Sequence, residues 1–176
     1  MLEVEKALKA FTKAVIKQSR TNLTKMRIKD KGELYNKIKA NYKVSKNSFE
    51  LDFSFPIYGQ FQDKGVKGVG GVRRSTSNYN RRDNKGKMWK QKAPKSPFSF
   101  KPDPKRKPSV KHFKQWANKR GLNPYAVREV VYHEGIKPKY WFTKAFDNEY
   151  KKYQDIFEKK FGTDVENLMK FALKDL

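Results

Sequence analysis

Six aromatic side chains, Phe142, Phe146, Tyr150, Tyr153, Phe157 and Phe161, follow one another at steps of three or four residues. That period fits one face of an α-helix and no strand, so the segment predicts a helix whose aromatic stripe other parts of the chain must cover. Gly162 predicts its end, and Thr163 or Asp164 the cap of a separate C-terminal helix over 163–176, with Val165, Leu168, Met169, Ala172 and Leu173 on its apolar face. Immediately upstream runs Gly135-Ile136-Lys137-Pro138-Lys139-Tyr140-Trp141-Phe142-Thr143-Lys144-Ala145-Phe146. Trp141 cannot share a helix face with Phe142, so it either fills a second layer or docks a neighbour. Tyr140, Trp141, Phe142 and Phe146, together with Tyr58, Phe61 and Trp116, are the candidate packing and docking residues.

The partners for this stripe lie in the first third of the chain. Val4, Leu8, Phe11, Val15, Leu23 and Met26 recur near helical spacing with lysines on the opposite face, which predicts a long amphipathic helix from Leu2 to about Ile28. After a turn at 29–32, Leu34 and Ile38 predict a short second helix. The period then changes: Phe49, Leu51, Phe53 and Phe55 alternate with polar residues, as in a strand with one buried face, and Tyr42-Lys43-Val44 is its hairpin partner across Ser45–Ser48. Pro56 closes that strand, and Tyr58 and Phe61 sit one helical turn apart before Gly65. Further on, Ser109 predicts a helix start with Val110, Phe113, Trp116 and Ala117 inward. Asn123-Pro124 predicts a second helix with Val127, Val130 and Val131 inward and Gly135 as terminator. This is a helical pair over 109–134. The fold class is α+β: the long N-terminal helix and the aromatic-striped helix packed on a small antiparallel sheet of about three or four strands.

A chain of 176 residues with 36% apolar and 14% aromatic residues suits a single domain, 1–176, whose core leans on Phe, Tyr and Trp. Lys and Arg total 42 against 18 Asp and Glu, a net charge of +24 that calls for a polyanion or an acidic protein surface as partner. There is no cysteine, hence no disulfide and no thiolate metal site. No run approaches the ~18 apolar residues of a membrane span, and the N-terminus does not read as a signal peptide, so the expectation is a soluble protein made in the cytoplasm.

The charge is concentrated in 66–108, which holds fourteen basic residues, five prolines and four glycines against only Asp83 and Asp103. Without periodicity, this stretch predicts an extended basic arm, ordered by a partner. Its candidate partner-contacting or DNA-contacting residues are Arg73, Arg74, Arg81, Arg82, Lys85, Lys87, Trp89, Lys90, Lys105, Arg106 and Lys107. Aromatics interleave with the cations there, as in segments that grip nucleic acid by charge and stacking, so a nucleic-acid-binding protein is the alternative reading. The glycine run 65–72 lacks the Gly-Lys-Ser/Thr ending of a P-loop and predicts a hinge. His112 and His133 lie on separate helices with no cysteine or carboxylate cluster at ligand spacing, so no enzyme, metal or cofactor is expected.

The order of these motifs resembles that of tailed-bacteriophage neck and tail-completion proteins. A long N-terminal helix precedes Gly32-Glu33-Leu34. A strand pair leads to Tyr58-Gly59-Gln60-Phe61-Gln62-Asp63-Lys64-Gly65, and the Pro138–Phe146 segment opens the last helix. The stretch Phe113-Lys114-Gln115-Trp116-Ala117-Asn118-Lys119-Arg120-Gly121-Leu122, followed by a second helix, is similar to an insertion in such proteins. The chain departs from the pattern at Gln62-Asp63-Lys64-Gly65-Val66 and in the length of the basic stretch. The resemblance implies a structural virion protein, synthesised in the host cytoplasm, that forms a homo-oligomeric ring at the head-to-tail joint as head-tail connector or tail-completion protein. It further implies portal, adaptor or tail subunits as partners and genomic DNA passing through the channel, with no membrane involved.

Overall fold

A computed structural model describes residues 3–28, 32–45, 48–73 and 87–174, and side chains for most of them. The fold is α+β, and the chain divides into two compact units, Met1–Gly59 with Tyr140–Leu176, and Gln60–Lys139.

The first unit is built on α1 (Glu3–Lys25) and α6 (Thr143–Lys174), with α2 (Glu33–Asn36) and the hairpin of β1 (Lys39–Ser45) and β2 (Ser48–Ser54). The hairpin register places Tyr42 opposite Leu51 and Val44 opposite Phe49. These four residues share one face of the pleat, and Tyr42, Val44, Leu51 and Phe53 pack on Ala7, Leu8, Phe11 and Val15 of α1 and Phe157 of α6. Phe11 is the hub. The rings of Phe53, Phe146, Tyr153 and Phe157 meet it edge to face at centroid distances of 6.5, 5.6, 5.5 and 5.4 Å. Such aromatic pairs contribute roughly 0.5–1.5 kcal/mol each beyond the area they bury. Among the described residues the sheet in this unit has two strands, fewer than the sequence predicted.

A second cluster joins Leu23, Leu34, Ile38 and Trp141. Trp141 is fully buried, resolving the choice left by its position beside Phe142: its Nε1 donates to the Gly59 carbonyl at 3.0 Å, and its ring meets Phe55 at 5.1 Å. Tyr140, at φ 52°, turns the chain so that Trp141 and Phe142 both face inward ahead of the helix. Asn22 Nδ2 then donates to the Trp141 carbonyl at 2.9 Å.

Helix α6 does not stop at Gly162, and 163–174 is its continuation, not a separate helix. Asp164 caps a different element: its carboxylate accepts from the backbone N–H of Val4 at 2.9 Å and of Glu3 at 3.3 Å, at the start of α1. Lys160 reaches Glu3 at 3.0 Å. Hydrogen bonds from Lys6 and Lys160 hold the Glu3 carboxyl down at about 2. A glycine costs about 1 kcal/mol in a helix interior. The contacts of α6 with α1 on both sides of Gly162 outweigh that. Tyr150 leaves the stripe, exposed and stacked on Phe146 at 6.0 Å.

The second unit is woven from short pieces. Helix α3 (Ile57–Lys64), whose first three residues belong to the first unit, leads into β3 (Val66–Lys67), which pairs with β6 (Gly135–Ile136); β4 (Val72–Arg73) pairs with β5 (Lys87–Met88). Helices α4 (Lys111–Asn118) and α5 (Pro124–Glu134) form the predicted helical pair, and Asn123 caps α5 through a 2.9 Å bond from the Tyr125 N–H. Ser109 is a weaker start for α4, its Oγ accepting from Lys111 N–H only at 3.4 Å. The glycine-bearing strand after α3 is no hinge. Val69 and Gly70 donate their N–H groups to the carbonyls of Tyr132 and His133 at 3.0 and 2.9 Å, and Lys92 donates to Glu134 at 2.8 Å. The last turn of α5 is thereby satisfied by chain from far upstream. Two glycines make the approach possible: a Cβ at Gly68 would collide with the His133 carbonyl, and one at Gly135, where φ is 88°, with the Val66 carbonyl.

Candidate interaction surface

The described residues of the predicted basic arm, 66–73 and 87–108, are folded into the second unit instead of standing free. Trp89 stacks on His133 at 5.0 Å with planes 5° apart, Phe98 meets Phe61 at 4.9 Å, and Phe100 meets Tyr132 at 6.1 Å. Gln91 brackets Gly68, donating to its carbonyl at 2.8 Å and accepting from its N–H at 3.1 Å, and Ala93 is buried. The interleaved aromatics thus pack the segment down, the reason the absence of periodicity misled: each ring finds its partner on α3 or α5, not on its own element. Arg74, Arg81, Arg82 and Lys85 lie outside the described residues. Arg73 and Lys87 are backbone register partners in the β4–β5 ladder.

Much of the cationic charge at the end of this segment is already matched. Lys107 Nζ and Arg128 Nη2 reach the Glu129 carboxylate at 2.8 and 2.7 Å, with Lys107 5.2 Å from the Tyr132 ring centre, and Lys92 meets Glu134 at 2.8 Å. Burial alone pushes the Glu129 carboxyl up, but the Lys107 and Arg128 hydrogen bonds outweigh it and hold the group below the usual carboxylate range. His133 Nδ1 lies 2.7 Å from the Gly70 carbonyl and Nε2 3.6 Å from Glu129, so this histidine braces the segment. Lys90, Lys105 and Arg106 remain exposed, the last within 3.4 Å of Asp103.

The helical pair also leaves large side chains exposed, with arginine guanidinium groups over two aromatic rings. Trp116, predicted to face inward, is 48% exposed, and only Ala117 of its helix is buried. The Arg120 guanidinium stands 4.3 Å from the Trp116 ring centre and Arg128 5.8 Å from that of Tyr125, which is 62% exposed beside an exposed Leu122. Tryptophan, tyrosine and arginine are the residues enriched among those that carry most of the binding energy at protein interfaces. Arg120, Leu122, Tyr125 and Arg128 were not singled out from sequence. Their signal was the mismatch between the polar makeup of α4, which carries Lys111, His112, Lys114, Gln115 and Asn118, and the inward place assigned to Trp116.

The remaining predicted docking residues divide by burial. Trp141, Phe142 and Phe146 belong to the core of the first unit, and Phe61 is half-buried against Phe98. Tyr58 and Tyr140 are exposed; partial burial and the nearby Glu33 raise the Tyr58 phenol above its ordinary value. Among the described residues no group of three or more His, Asp or Glu side chains converges to hold a metal, and no helix is long and apolar enough to cross a membrane. Comparison of the chain with protein-family models, curated proteins and solved structures finds no match.

Proposed function

We propose that this chain is a structural protein of a tailed-phage virion, one subunit of a ring in the neck or tail that serves as head-tail connector or tail-completion protein. The motif order from Gly32 to Phe146 supports the class, and the observation that carries the proposal is the exposure of Trp116, Leu122 and Tyr125 on the helical pair, with Arg120 over the Trp116 ring and Arg128 over that of Tyr125. An accessible tryptophan, tyrosine and leucine beside stacked arginines suit burial against an acidic neighbouring subunit, where the core of an interface is aromatic and its arginines are desolvated. Copies associate side by side, and a portal, adaptor or tail subunit supplies the acidic face.

Sizing the purified chain by light scattering, alone and mixed with candidate neighbouring subunits, tests this reading. A defined oligomer or mixed complex is expected, weakened by Trp116→Ala and by Arg120→Glu. A chain that stays monomeric in every mixture, or complexes indifferent to both substitutions, would overturn it.

A further inference from the structure

Along α1 the cations Lys6, Lys9, Lys13, Lys17 and Arg20 recur at three- or four-residue steps, opposite the core line of Leu8, Phe11 and Val15. Lys6 is occupied by Glu3 at 2.6 Å. The ammonium groups of Lys9, Lys13 and Lys17 make no ion pair or hydrogen bond with any described residue. Lys13 and Lys17 open onto a groove of about 780 Å³, and Arg20 and Lys25 border it, with no carboxylate among the described residues that line it. Arg20 is set in place before anything binds: its Nε donates to the Tyr35 carbonyl at 3.0 Å, and its guanidinium stands 5.2 Å from the Tyr35 ring centre. Thr21 and Thr24 turn their hydroxyls back to the carbonyls of Lys17 and Arg20, leaving the charge of the groove to its four cations.

We infer that this groove holds the phosphate backbone of a nucleic acid. A helix repeats every ~5.4 Å, so cations one turn apart present a regular line of point charges, the complement of an evenly charged polymer. Protein partners are instead anchored at a central aromatic or aliphatic side chain. The apolar member of this lining, Ile16, is half-buried, and the Tyr35 ring lies under Arg20. Lysine, arginine and threonine are side chains that contact phosphate and sugar, and the described lining holds no carboxylate or amide to read an adenine or cytosine edge, so the contact is to the backbone. The site goes beyond the ring reading and stands without it, since it lies within one unit of a single chain.

The test uses the full chain, a fluorescein-labelled DNA of roughly 20 nucleotides as single strand and as duplex, and anisotropy between about 50 and 200 mM salt. Lys13→Gln/Lys17→Gln is compared with Lys144→Gln/Lys151→Gln, which removes the same charge from exposed positions on α6. The groove variant is expected to bind roughly tenfold or more weakly at low salt and to lose about 2 from the logarithmic salt slope, the control much less. Both variants should keep the wild-type circular dichroism, because Lys13 and Lys17 are exposed. Equal losses in the two variants, or no binding by the wild-type chain, would overturn the assignment. So would displacement of the DNA by polyglutamate of equal charge at equal concentration, which would give the groove to an acidic protein surface.

Discussion

At Gly59 a missing side chain organises an entire cluster. A Cβ built there would stand 2.7 Å from Leu34, 2.9 Å from Phe55 and 3.3 Å from Trp141, all packed side chains of the first unit. The helix gains up to ~1 kcal/mol from alanine over glycine, whereas overpacking costs about 1–3 kcal/mol. The collision wins, because two of the three neighbours are aromatic rings with little room to turn. Gly59→Ala is therefore expected to lower the unfolding free energy by about 1–2 kcal/mol, read by urea denaturation followed through tryptophan fluorescence. An unchanged midpoint would mean that Trp141 is not seated as described. The sequence marked Trp141 as a residue that cannot follow the stripe, but its acceptor, the Gly59 carbonyl, stands 82 positions upstream and is invisible to any local pattern.

Helix α6 poses the same substitution with the opposite sign. Gly162 has no atom within 4 Å of where a Cβ would stand and no positive φ, so alanine there meets neither collision nor strain. Gly162→Ala is expected to stabilise the protein by about 0.5–1 kcal/mol, by restricting the unfolded chain and favouring the helix, which raises the melting temperature by a few degrees. A lower melting temperature would show that the helix bends at this residue. The stripe itself was legible from its spacing, as were α1 and the β1–β2 hairpin, since period and element are locally linked. The end of α6 was not, because a glycine stop signal is a local preference worth about 1 kcal/mol. It is overridden where Phe157 on one side and Asp164 on the other are tied to α1.

Across the whole molecule, the chain leaves the first unit at Gly59 and returns to it at Tyr140, and the Trp141 ring touches Gly59. The second unit is thus an insertion between two points of the first that lie close together. Replacing Gln60–Lys139 by a Gly/Ser linker of about six residues, with an r.m.s. reach of roughly 13 Å, is expected to leave the first unit folded. Its α1 and α6 helicity and a buried Trp141 emission maximum are the measurements. A molten far-ultraviolet signal with no cooperative melt would show that the first unit depends on the second for its core.

Local periodicity alone determined that a long amphipathic helix, a hairpin, a helical pair and an aromatic-striped helix exist, since 3.6-residue and 2-residue repeats are properties of the backbone itself. Only the tertiary structure decided which aromatics are covered: Trp141 inside, Trp116 outside, Trp89 pressed on His133. It also decided that the basic segment closes the carbonyls of α5. Those outcomes depend on hydrogen-bonding groups and ring faces that find partners some forty to eighty residues away, and a sequence pattern carries no record of which distant residue will meet them.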